Sequence, residues 1–100
     1  MRVLVVVFHL PEGTESSVHR RFRRELQGLE TSSWGGRYRY RLRGLLDEVP
    51  HVRLYRGVVL IREEHLPMLE LLLKSYNAEY TWREVVPTEE DLEILSMDSE

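Results

Sequence analysis

Arg2-Val-Leu-Val-Val-Val-Phe-His9 decides how the rest of the chain reads. Its continuous apolar run, mostly β-branched, fits a central strand buried on both faces. Pro11 and Gly13 end the strand, and Thr14-Glu-Ser-Ser supplies hydroxyls that could accept the free amides of a helix start. Beyond it, Val18, Phe22, Leu26 and Leu29 recur at helical spacing, while His19, Arg20, Arg21, Arg23 and Arg24 spread over the remaining surface. The pattern predicts an amphipathic, basic helix that closes near Gly28.

Thr31-Ser-Ser-Trp-Gly-Gly36 then reads as a break, because two adjacent glycines follow a run of small polar residues. Arg37-Tyr-Arg-Tyr-Arg-Leu-Arg43 alternates with period two, which predicts a second strand, placed at the edge of the sheet. Gly44 to Pro50 fits either a short helical turn or a wide hairpin connection. Val52 to Arg62 is rich in β-branched residues and reads as one third strand, with Gly57 at a bulge or a close backbone approach.

Glu63, Glu64 and Pro67 mark the start of a second helix, whose stripe is Leu66, Leu69, Leu73 and Tyr76 and whose left-handed stop is Asn77. Glu79 to Val86 has the aromatic and β-branched content of a fourth strand, ended by Pro87. Thr88 with Asp91 three residues on predicts a capping box for a short last helix.

The order is therefore β-α-β-β-α-β with a short C-terminal helix, an α+β chain of ferredoxin-like pattern. Both main helices are expected on one face of a four-stranded antiparallel sheet. The other face then stays open unless a second subunit covers it, so a homodimer is expected. Residues 1–95 form the single expected domain, with 96–100 as a frayed acidic tail.

Composition narrows the class further. The 42% hydrophobic and 31% charged fractions are those of a globular chain with an ionised surface. Without cysteine there is no disulfide framework and no thiolate metal site, which makes the cytoplasm the expected compartment. The Val3–Phe8 run is far below the roughly 20 residues needed to cross a bilayer, so no membrane association is expected. Charge is unevenly placed: residues 1–62 carry twelve Arg against six acids, and residues 63–100 carry Lys74 and Arg83 against eleven. That asymmetry suggests a basic interaction face and an acidic C-terminal part able to compete for it or to aid solubility.

Arg37, Arg39, Arg41 and Arg43, with Arg20 and Arg24 of the first helix, are the candidate phosphate contacts to DNA or RNA, and Tyr38 and Tyr40 are candidates to stack on bases. The competing reading puts Tyr38, Tyr40 and Leu42 in the core and makes the arginines a solvated, edge-protecting row. A second function class, a regulatory or assembly module binding a small molecule or protein partner, fits the same fold. The four histidines (His9, His19, His51 and His65) have no i, i+4 pair, so no metal site, cofactor or catalytic residue is expected.

Val5-Val-Val-Phe-His-Leu-Pro11, followed by a polar turn and a basic helix ending in Gly28-Leu29, resembles the start of the CRISPR-associated Cas-two family, the small ferredoxin-like partner of the spacer integrase. Leu10 and Pro11 match its strand-end motif and Phe8 nearly does. The likeness covers about the first thirty residues. It implies a DNA-binding homodimer, and in some members a metal-dependent nuclease built on the Asp that ends the first strand. His9 occupies that position, and an imidazole does not replace a carboxylate as a hard Mg²⁺ ligand, so the expectation is a noncatalytic relative.

Overall fold

The computed structural model describes residues 1–33 and 38–97, and the side chains of 31–33 and 38–40 lie outside that description. The strands are β1 (Val3–His9), β2 (Leu29–Ser33), β3 (Tyr38–Leu42), β4 (His51–Tyr55), β5 (Val58–Arg62) and β6 (Glu79–Val85). The helices are α1 (Ser16–Gln27), α2 (Leu45–Glu48), α3 (Leu66–Ser75) and α4 (Glu89–Leu95), with a 3₁₀ turn, Glu63–His65, leading into α3. Strands β4-β5-β1-β6 form one antiparallel sheet in that order, the ferredoxin-like arrangement.

β1 lies in the middle, between β5 and β6, because its side chains are apolar on both faces. Leu4, Val6 and Phe8 point to one face, where they meet Phe22 and Leu26 of α1 and Leu66, Leu69 and Leu73 of α3. Phe22 stacks edge-on against both Phe8 and Tyr76, with ring centroids 6.1 and 5.2 Å apart. Val3, on the other face, packs with Leu60 and with Leu95 of α4. Helix α4 thus covers one end of the second face and leaves Val7, 40% exposed, outside its cover.

Several local signals act as their chemistry demands. Asn77 takes φ 55° after α3, Pro67 sits in the first turn of that helix, and Thr88 and Asp91 exchange both capping-box bonds, at 3.1 and 3.2 Å. The start of α1 differs from expectation. Glu15 holds the cap position without a side-chain bond, and the Thr14 hydroxyl donates backwards to the Pro11 carbonyl.

Two strand assignments change. Val52–Arg62 is not one strand but the β4–β5 hairpin, turning at Arg56-Gly57, where Gly57 has φ 74°. Gly57 also makes the expected close approach: its carbonyl accepts from Phe8 N at 2.9 Å, and a Cβ there would lie 2.5 Å from the Phe8 oxygen. The Arg/Tyr strand, β3, is not an edge of the main sheet. It pairs with β2, which includes the Thr-Ser-Ser run expected to be a break, in a separate two-stranded ribbon inserted between α1 and α2. Period two identifies a strand, but the pairing partner is set by tertiary geometry.

Leu95 is fully buried and is the only buried residue of α4, so it anchors the helix to the sheet. Leu95→Ala is expected to cost about 2 kcal/mol, the low end for a buried leucine because the cluster is small. Urea unfolding measures it, and an unchanged midpoint would show that α4 is not held by this contact.

Candidate nucleic-acid interface

Burial of Phe22 and Leu26, with Val18 half-buried on the same stripe, fixes how α1 presents its charges. At about 100° per residue, Arg20 and Arg24 fall roughly opposite Phe22, with Arg21 and Arg23 flanking them. All four are exposed. No side-chain hydrogen bond or ion pair engages Arg20, Arg23 or Arg24 among the described residues. The helix's one acid, Glu25, faces Tyr76 instead; burial first, and then this carboxylate, holds the Tyr76 phenol above its ordinary range.

The ribbon leaves the C-terminal end of this helix. Its register pairs Leu29 with Leu42, Glu30 with Arg41, Thr31 with Tyr40, Ser32 with Arg39 and Ser33 with Tyr38. Extended contact with any other element is absent among the described residues. Leu29 and Leu42 are 40% and 45% exposed, so Leu42 is not core, and the reading that buried this side of the strand fails at that residue. The radius of gyration, 14.8 Å against about 13 Å for a compact chain of this length, fits a projecting ribbon.

The root of the ribbon is tightly closed. Gly28 and Gly44 lie in van der Waals contact, so that a Cβ on Gly44 would overlap the Gly28 nitrogen and one on Gly28 the Leu42 carbonyl. Asp47 Oδ2 accepts from the Gly44 amide at 2.8 Å. One Arg41 amine donates to both Asp47 oxygens, at 2.8 and 3.0 Å, and to the Gln27 carbonyl at the end of α1, at 2.6 Å. Arg43 reaches the Asp47 carbonyl at 3.4 Å, a marginal contact.

The candidate residues therefore divide. Arg20 and Arg24 are free on the helix, whereas Arg41 is committed to the ribbon's root and Arg43 leans on it. Arg37 lies outside the described residues; Tyr38, Arg39 and Tyr40 have described backbone in β3 but not side chains. Missed from the sequence was the clasp of Gly28, Gly44 and Asp47, although two glycines bracketing a strand pair with an Asp three residues on was the available signal. The acids of α4 sit across the sheet from α1, because Leu95 packs with Val3 while Phe22 and Leu26 pack with Leu4, Val6 and Phe8.

His9, at the end of β1, has its Nε2 3.1 Å from a Glu79 carboxylate oxygen and its Nδ1 3.0 Å from the Leu10 carbonyl. It ties β1 to β6 at the open end of the sheet. No grouping of three or more His, Asp or Glu residues able to hold a metal ion occurs among the described residues, and no described helix is long and apolar enough to cross a membrane.

The Gly44 amide first, and then the Arg41 guanidinium, hold the Asp47 carboxyl below its ordinary range, against the opposing effect of partial burial. A depressed folded value means that the stability contributed by this carboxylate is present above the ordinary aspartate value. It is lost as pH falls through the lowered folded value. Asp47→Asn is expected to lower the denaturation midpoint at neutral pH and to converge with the parent protein in acid. A gap between the two that persists unchanged into strong acid would contradict this role.

Comparisons of the chain with family models, with curated proteins and with solved structures returned no match.

Proposed function

We propose that this protein binds double-stranded DNA without strong sequence preference, through the outer face of α1 together with the β2–β3 ribbon, and that it works as a homodimer. The observation that carries the reading is the placement of unpaired arginines on the helix from whose end an arginine-bearing ribbon projects. Residues 16–43 contain eight Arg against Glu25 and Glu30. Arg20, Arg23 and Arg24 are the arginines without a partner among the described residues, and phosphates suit such guanidinium groups, since each contact also releases condensed counterions.

The ribbon favours DNA over RNA. A two-stranded ribbon fits the major groove of B-form DNA, about 12 Å wide, whereas the A-form major groove is deep and narrow. Five paired residues give the ribbon a length of about 17 Å before its tip, enough to follow such a groove. Nothing in this reading needs catalysis. His9, engaged by Glu79 and Leu10, supplies no oxygen ligand at the strand end.

A salt titration tests the proposal. Four to five phosphate contacts predict that log K falls against log salt with a slope of about −4, so a fourfold rise in salt weakens binding by several hundredfold. A shallow slope, or equal affinity for duplex DNA and duplex RNA, would count against it.

A further inference from the structure

The two edges of the main sheet are treated differently. On the β4 edge a register irregularity between Arg53 and Tyr55 interrupts the strand, a way of blocking strand addition. β6, the opposite edge, runs seven residues without a bulge, a glycine or a proline. Thr81, Trp82, Arg83 and Glu84 along it are all exposed. Beside it lies an open groove lined by Arg2, Glu70, Tyr80, Trp82 and Glu84.

The sequence of this edge is complementary to itself. About Thr81, the strand reads acid, aromatic, Thr, aromatic, base: Glu79, Tyr80, Thr81, Trp82, Arg83. Paired antiparallel with a second copy about a two-fold axis at Thr81, each Glu79 faces an Arg83 and each Tyr80 faces a Trp82. Residues directly opposite in an antiparallel pair share a face. The β1–β6 register places Thr81 with Val7 and Arg83 with Val5 on the side away from α1 and α3, and Trp82 with Val6 and Tyr80 with Phe8 on the helix side. The ionic pairs would therefore form on one face and the aromatic pairs on the other, where the groove receives the Trp82 ring of the second copy.

The groups concerned are available. Arg83 has no carboxylate partner among the described residues; its guanidinium folds back on its own strand, to the Thr81 hydroxyl at 2.9 Å and the Trp82 carbonyl at 2.7 Å. Among the described residues Glu79 meets only the exposed His9. On the helix side Tyr80 is held in place by donating to Glu70 at 2.6 Å, so the aromatic platform is already ordered.

We infer that the β6 edge is the homodimer interface, two copies joining antiparallel about Thr81 into one continuous eight-stranded sheet. The occupant is a second copy because the charge pattern inverts about its own centre, a property that an unrelated strand would match only by chance. This contact rests on the dimeric part of the proposed function and is independent of DNA binding, since β6 and the ribbon-bearing α2–β4 side lie at opposite edges of the sheet.

Sedimentation equilibrium of the full chain, with charge-reversal variants, tests the inference. Glu79→Arg and Arg83→Glu, each placing like charges across the two-fold, are expected to raise the dimer dissociation constant at least tenfold. The double variant Glu79→Arg/Arg83→Glu restores opposite charges and is expected to return it to within about threefold of the parent protein. In a Trp34→Phe background, Trp82 emission should shift to shorter wavelength as concentration rises. Circular dichroism confirms that each variant is folded. A monomer throughout the micromolar range, a dimer insensitive to both single reversals, or singles that weaken it with no rescue in the double would each overturn the inference. DNA affinity of the same variants at equal salt separates this failure from failure of the DNA reading.

Discussion

Arg20→Gln/Arg24→Gln is expected to weaken binding to duplex DNA by about 100-fold at low salt and to reduce the salt slope by about 1.8. Each phosphate contact contributes about 0.9 to the slope, and extrapolation from 50 mM towards molar salt makes one contact worth a little over tenfold. Both side chains lie on the side of α1 away from Phe22 and have no described partner, so the double substitution removes charge without removing packing. Thermal unfolding should therefore be unchanged. Arg39→Gln, on the ribbon, should subtract a further increment from the slope, while Arg41→Gln should lower stability first, because its guanidinium bonds Gln27 and Asp47. The result that sinks the DNA reading is an Arg20→Gln/Arg24→Gln protein with parental affinity and slope.

The central strand and the two main helices were legible because burial imposes periods that sequence displays directly. Val3–Phe8 is apolar on both faces and so had to be internal; Val18, Phe22 and Leu26, and then Leu66, Leu69 and Leu73, repeat with the helical turn. What stayed hidden was pairing. The alternation from Arg37 to Arg43 identifies an extended segment equally well in an edge strand or a ribbon, and only the partner distinguishes them. That partner, Leu29–Ser33, carries three hydroxyl residues in five: Leu29 falls on the helical stripe and Thr31–Ser33 reads as a break. The β4–β5 hairpin was hidden for a related reason: Arg56-Gly57 is short enough to disappear inside a run of β-branched residues.

The candidate site was half legible for a different physical reason. A guanidinium's availability depends on what else can accept its protons, and spacing does not reveal that. Arg41 and Arg39 are indistinguishable in the alternating pattern, yet folding brings the Gln27 carbonyl and the Asp47 carboxylate to Arg41. For Arg20 and Arg24 the helical period alone sufficed, since a residue opposite the buried stripe faces solvent whatever the tertiary fold.

Gly28→Ala is expected to be the most damaging small substitution outside the main core, costing about 3 kcal/mol or more. Gly28 has φ 80° and ψ −177°, a combination that is essentially glycine's alone and costs other residues about 1–3 kcal/mol. Space is the second obstacle. The new Cβ would overlap the Leu42 carbonyl and lie 2.9 Å from both Asp47 Oδ2 and the Gly44 nitrogen. Two of these three are backbone atoms, and the third is held by Arg41 and Gly44, so none can step aside cheaply. Gly13 is a positive-φ glycine without crowding: at φ 85° a methyl added there would meet nothing within 4 Å, and Gly13→Ala should cost only about 1 kcal/mol. Urea unfolding of the two variants therefore compares a crowded positive-φ glycine with an open one. A gap of about 2 kcal/mol between them supports a ribbon root closed by direct glycine contact, which aims β2 and β3 along a fixed line from the end of α1. Equal losses would mean that the root is loose, and that the ribbon's direction is set by DNA rather than by the protein.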